Sequence, residues 1–143
     1  MIQIIVISVL FLDQLTKFLV VKNLALGSSI PIINGIFHLS LVHNKGAAFG
    51  ILKNQVPFLI ATSLFTIILF YFALKDNKHK IFYCVSLSLV LAGALGNLID
   101  RVRVGYVIDF LDFRIWPVFN IADSAITIGA VMLGWSILTE KEK

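Results

Sequence analysis

The chain is short of charge, cysteine and proline, and the first two shortages exclude whole classes of protein. Only 14% of its 143 residues are charged, against about 25% in an ordinary soluble domain. Cys84 is the single cysteine, so neither an intramolecular disulfide nor a thiolate metal cluster can form. It stands in an apolar block without a His or basic neighbour and reads as a small packing residue. A net charge of +4 and a pI near 9.4 could point to nucleic acid. The basic residues, however, form no stripe interleaved with aromatics. His38, His43 and His79 have no zinc-site spacing and are assigned surface roles. Nothing here implies a metal or a cofactor.

What the chain has is hydrocarbon. Hydrophobic residues make up 59%, and the mean hydropathy is +0.95. They gather in blocks long enough to cross a bilayer core, which takes about 20 residues of helix. Blocks at about 2–21, 56–74, 81–99 and 119–138 predict an all-α integral membrane protein, one membrane domain over 1–143 with four transmembrane helices. The first block has no basic region before it and no small-residue cleavage site after it, so it is expected to be a retained helix rather than a signal peptide.

The segment at about 28–54 has another texture. Ser29–Ile33 and Ile36–Val42 flank Asn34-Gly35, an arrangement that predicts a hairpin with positive φ at both turn residues and hence a small extramembrane sheet. The Gly-rich run Gly46-Ala47-Ala48-Phe49-Gly50 follows. The short connection Lys75–Lys80 is dense in lysine, whereas Lys22, Lys45, Lys53, Arg101, Arg103 and Arg114 are spread over longer segments. That density puts the connection and both termini on the cytoplasmic side.

With this topology the polar residues meet at the outer face. Asp13 and Lys17 lie in the outward half of the first helix. Asn97, Asp100 and Arg101 end the third, Asp109 lies in the connection, and Asn120 and Asp123 start the fourth. Ionisable groups at membrane depth cost about 2.5–3.5 kcal/mol each or more, so such a gathering marks a site. Asp13 and Lys17, spaced i,i+4, read as a structural ion pair. Arg101 fits either an anchor at the membrane surface or a guanidinium facing substrate. Gly93 and Gly96 suit close helix packing. Asp109 and Asp123 each sit among apolar residues with no basic residue within a helical turn. Brought together, two such carboxyls would share a proton and could act as base and acid on a water. Spacing alone favours buried structural or ion-translocating carboxylates over such a pair. A transporter would need polar residues through the whole membrane depth, and the cytoplasmic half is bare. A noncatalytic membrane subunit would leave two isolated carboxylates unexplained.

Several runs now carry a resemblance. Asp13-Gln14-Leu15-Thr16-Lys17, Asn44–Gly50, Gly93–Arg101, Gly105–Phe110 and Phe119–Ser124 occur in this order. Together they resemble the bacterial lipoprotein signal peptidase family, or signal peptidase II, over essentially the whole chain. The resemblance implies an aspartyl endopeptidase of the bacterial inner membrane. Such an enzyme removes the signal peptide from diacylglyceryl-modified prolipoproteins on the amino side of the lipidated cysteine, with its site toward the outer face. By motif the catalytic pair would be Asp109 and Asp123. Asn44, Gly46, Asn97, Arg101 and Asn120 would support the pair or hold substrate, and Asp13 and Lys17 match a supporting structural pair. The hairpin segment resembles the family's extramembrane β-cradle, its Gly-rich end near substrate. Implied partners are lipid-modified prolipoproteins and membrane lipids, with the enzyme a monomer and no cofactor or metal. The connection from Asp109 to Asp123 is short and aromatic (Phe110, Phe113, Trp116) and is expected to alter lid or substrate contacts. Asp112 has no match and is expected to face solvent or the membrane interface.

Overall fold

A computed structural model describes residues 2–46, 52, 54–76 and 81–140. Four helices are long and apolar enough to cross a membrane: α1 (Ile2–Asn23), α2 (Val56–Asp76), α3 (Ile81–Val104) and α4 (Ile121–Glu140). A three-stranded antiparallel sheet joins them, with β1 (Ser29–Ile33) and β2 (Phe37–Asn44) between α1 and α2, and β3 (Val107–Asp112) between α3 and α4.

The helices reverse the soluble pattern, in which the apolar stripe is the buried one. On α1 the buried residues are Asp13, Lys17 and Val20, one stripe at helical spacing. Ile4, Ile7, Phe11 and Phe18 stay exposed on its other faces. α3 is the central post, buried along most of its length and packed against each of the other helices. It meets α4 through small residues. A Cβ on Gly93 would collide with the Ala122 carbonyl, and one on Gly129 would come 2.7 Å from the Ser86 carbonyl oxygen. Without a hydrophobic force between helices in lipid, such close backbone approach supplies the packing.

α3 runs to Val104 rather than stopping near 99. Asp100, Arg101 and Arg103 do not end it; Gly105 does, at φ +80° with its N–H on the Arg101 carbonyl (3.1 Å). α4 begins at Ile121 because Asn120 is its N-cap, the side-chain Oδ1 accepting the N–H of Asp123 (2.8 Å).

The hairpin forms at the expected place, but of its turn residues only Gly35 has positive φ (+73°), and Ile36 N–H closes on the Ile33 carbonyl (3.0 Å). β3 falls in the stretch read from sequence as a plain connection. It pairs with β2 so that Val42 lies opposite Asp109 and His38 opposite Asp112. Between these pairs the register against β3 shifts at Ser40 and Leu41, while Ser40 stays paired with Ser29 of β1. Leu41 packs with Val20 and Phe110 in the core where α1 meets the sheet. Phe110, expected in a lid or substrate wall, is therefore a core residue. Ala47-Ala48-Phe49-Gly50 lies outside the described residues.

Candidate active site

The site starts from a buried charge cluster that ties three helices together. Lys17, only 2% exposed, directs its ammonium to Asp13 Oδ2 (2.9 Å), Asp100 Oδ2 (2.8 Å) and Asn97 Oδ1 (3.2 Å). Its three N–H donors are thereby matched. Gln14 adds bonds to Asp13 Oδ2 and Asp100 Oδ1, both 3.1 Å. The other Asp13 oxygen accepts the Ala122 N–H (2.9 Å), so an anionic group sits on the open first turn of α4. Asp100 Oδ2 also accepts the Ile108 N–H (3.1 Å), which fixes the start of β3. One cation faces two carboxylates, and backbone N–H groups help offset the extra negative charge. The expected Asp13–Lys17 pair is present, with Asp100 and Gln14 as members that sequence reasoning missed.

Above this cluster two asparagines relay its geometry to two more carboxylates. Asn97 donates to Asp123 Oδ1 (2.7 Å) while its own oxygen accepts from Lys17 and from Asn120 Nδ2 (3.1 Å). Asn120 donates to Asp109 Oδ1 (2.7 Å), and Asn44 donates to Asp109 Oδ2 (2.9 Å). Asn44 is held in turn by the Gly46 N–H on its Oδ1 (2.9 Å). Among the described residues, no buried side-chain nitrogen or oxygen lacks a hydrogen-bond partner.

Asp109 and Asp123 open into one cavity of about 1150 Å³, together with Asn44, Gly46, Asn97 and Arg101. Asn120 lies behind it, fully buried. Arg101 reaches the cavity with Nη2 3.4 Å from the Gly46 carbonyl. Its guanidinium thus forms part of the cavity lining. The Asp109 carboxyl, 1% exposed, is pushed up to about 7. Burial is the main cause and the nearby Asp123 charge the second, opposed by the amide bonds from Asn44 and Asn120 and by Lys17.

The rest of the lining divides by chemistry. Ser124, Thr127 and Ile128 extend it along α4, and Phe113, Ile115, Trp116, Pro117 and Val118 form a wall without charge. His43, assigned to the surface from sequence, instead lines the cavity and stacks on Tyr106 with ring centroids 3.8 Å apart. Desolvation, with Lys45 adding to it, lowers its pKa, favouring the neutral ring. Its position next to Asn44 on β2 was the available signal. Asp112 corrects a second expectation. It is buried, accepting from Ser40 Oγ (2.7 Å), the Arg114 N–H (2.9 Å) and Arg114 Nη1 (2.9 Å). His38 Nδ1 stands 3.0 Å from Ser29 Oγ in the sheet, and His79 lies outside the described residues. Among the described residues, no group of three or more His, Cys, Asp or Glu stands together as a metal site.

Known proteins share this fold. The family described as "Signal peptidase (SPase) II" matches residues 5–139. The chain belongs to the signal peptidase II family. It is thus a member of a peptidase family and, with four membrane-spanning helices, a multi-pass bacterial membrane protein. The Lipoprotein signal peptidase of Halothermothrix orenii is 47% identical over 133 residues, 93% of this chain and 92% of that one. That of Clostridioides difficile is 51% identical over 132 residues, 90% of this chain and 88% of that one. Among solved structures, a bacterial membrane enzyme determined by the in meso method at 2.3 Å resolution superposes with a TM-score of 0.92 at 36% identity. The match covers 98% of this chain and 88% of that one. A second such structure, at 1.9 Å, gives a TM-score of 0.87 at 37% identity, covering 96% and 92%.

Proposed function

We propose that this protein removes the signal peptide from diacylglyceryl-modified prolipoproteins, cutting on the amino side of the lipidated cysteine with Asp109 and Asp123 as an aspartyl dyad. The observation that carries the reading is the pair of carboxyls facing one cavity, joined through Asn97 and Asn120. Family membership supplies the reaction class, and the elevated Asp109 carboxyl fits the member that holds a proton near neutral pH.

The steps follow from these roles. Ionised Asp123 takes a proton from a water as its oxygen attacks the scissile carbonyl carbon. Asp109 gives its proton to the carbonyl oxygen. The resulting gem-diol returns a hydroxyl proton to Asp109 as the C–N bond breaks, and Asp123 passes its proton to the leaving amine. The signal peptide leaves with a carboxyl terminus and the lipidated cysteine with a free amine. Asn44 and Asn120 hold Asp109, Asn97 holds Asp123, and Arg101 with Gly46 meets the substrate backbone. The apolar length of α4 takes hydrocarbon. The enzyme works as a monomer in the inner membrane, with both termini cytoplasmic, the site at the outer face and the sheet as its extramembrane cradle.

The test is cleavage of a diacylglyceryl-modified precursor by the purified protein, with the unlipidated precursor as control. Asp109→Asn and Asp123→Asn should each abolish cleavage while the protein still inserts and accumulates. Full processing by either variant would overturn the dyad.

A further inference from the structure

The sheet carries a buried carboxylate that the dyad chemistry does not use. Asp112 lies three residues beyond Asp109 on β3, so the pleat turns it to the opposite face. It is 6% exposed. Its Oδ1 accepts the Arg114 N–H, and its Oδ2 accepts Ser40 Oγ and Arg114 Nη1. Ser40 Oγ in turn lies 2.8 Å from Ser29 Oγ, so the contact extends across all three strands. Arg114 has φ +66°, a conformation that a non-glycine residue adopts reluctantly and that needs an outside hold. Asp112 supplies that hold through the main-chain N–H. The exposed guanidinium contributes less, since solvent screens it.

Beyond this point the chain loops back to β3. Phe119 N–H bonds the Leu111 carbonyl (3.1 Å), and the Phe119 carbonyl accepts the N–H groups of Phe110 and Leu111. The loop 112–118 is therefore tied at its base and turned at its start. Phe113 packs between Phe37, a tilted contact (4.9 Å), and Phe119, a stacked one (5.9 Å). Ile115 and Trp116 line the cavity although 95% and 59% exposed, so they stand at its mouth.

We infer that Asp112 is a positioning residue for substrate binding: its carboxylate latches the 112–118 loop so that Phe113, Ile115 and Trp116 stand as a wall for the apolar groups of the entering substrate. The inference rests on the peptidase reading. The latch shares no hydrogen bond with Asp109 or Asp123, which keep their own asparagines. Its loss therefore weakens binding and leaves the chemical step alone. Burial opposes ionisation, but the bonds from Ser40 and Arg114 outweigh it and hold the Asp112 carboxyl below the usual range. The latch is thus charged and closed at neutral pH.

The test uses the full-length protein in a Trp135→Phe background, where Trp116 is the remaining tryptophan. Asp112→Ala should raise KM for the lipid-modified precursor about five-fold or more, with kcat within about two-fold, the signature of lost ground-state binding. Acrylamide should also quench Trp116 more strongly. Asp112→Asn keeps an acceptor for the Arg114 N–H and should recover part of both effects. Ser40→Ala should shift both in the same direction by less, and it serves if the alanine variant does not fold. A fall in kcat at constant KM, or unchanged quenching in the folded variants, would overturn the latch. The quenching requires no catalysis, so failure of the dyad reading would show separately, as processing retained in Asp109→Asn.

Discussion

Asn120 donates to Asn97 across 3.1 Å, and this bond joins the two halves of the site. On one side Asn120 holds Asp109 and caps α4; on the other Asn97 holds Asp123 and rests on Lys17. The cap and the donor are different atoms of Asn120, so its capping of α4 and its hold on Asp109 can be separated.

Asn120→Ser should retain a capping oxygen but lose the amide donated to Asp109. Its melting temperature in detergent should stay close to that of the wild type while processing falls at least about ten-fold, as for a lost active-site hydrogen bond. Asn120→Ala should lose the cap as well, at a further cost of about 1 kcal/mol. Thermal unfolding and a processing assay on the same preparations would compare the two.

Lys17→Met would strand Asp13 and Asp100 without their cation. Removing one partner from a buried ion cluster costs about 3–5 kcal/mol, so the variant should melt far lower or fail to accumulate. Adding Asp13→Asn and Asp100→Asn should recover part of the loss, because neutral amides need no counter-charge. Unfolding midpoints of the single and triple variants provide the comparison.

Asp109 gives the pH dependence. Its carboxyl is raised from the usual carboxylate value to about 7, so the folded state holds this proton more tightly than the unfolded chain. The group's contribution to stability is full below the unfolded pKa and is lost as pH rises through about 7. Stability should decline over that window, and Asp109→Asn should flatten the decline. If Asp109 is the acid of the dyad, kcat/KM should fall on the alkaline side with a midpoint near 7. Denaturation and rate profiles from pH 5 to about 9 would test both statements.

Two glycines on helices should behave in opposite ways. A Cβ on Gly96 would stand 2.6 Å from Asp13 Oδ2 and 3.2 Å from Ala122 Cβ, so Gly96→Ala should destabilise by about 1–3 kcal/mol, as overpacking does. Gly134 has nothing within 4 Å of its Cβ position, and Gly134→Ala should be neutral or stabilising by up to about 1 kcal/mol. Melting curves in one detergent would rank them.

Membrane orientation can be mapped with single cysteines in a Cys84→Ala background. Position 34 should react with an impermeant thiol reagent applied from outside, and positions 77 and 143 only after permeabilisation. Outside labelling at 143 would reverse the proposed topology.

Hydropathy made the four helices legible because lipid imposes length and composition together. It also showed that the polar residues gather toward one end. It did not show partners. Asp100 is adjacent to Arg101, yet it turns inward to Lys17, a contact that depends on the packing of α1 against α3. β3 was hidden because Val107–Asp112 is short, acidic and paired with a strand far away in sequence. Once the strand is known, alternation separates its two aspartates, sending Asp109 to the cavity and Asp112 to Ser40. Phe110 was misread for the same reason, since an aromatic in a presumed loop proved to be the inward residue of a strand.

The bridge between Leu111 and Phe119 also bears on how such enzymes can diversify. Because the loop is sewn shut at its base, residues could be added or exchanged between 112 and 118 without moving Asp109 or Asn120. That stretch should therefore behave as a replaceable module on a fixed frame. Grafting it between relatives should transfer preference for the substrate's apolar part while the reaction itself stays unchanged.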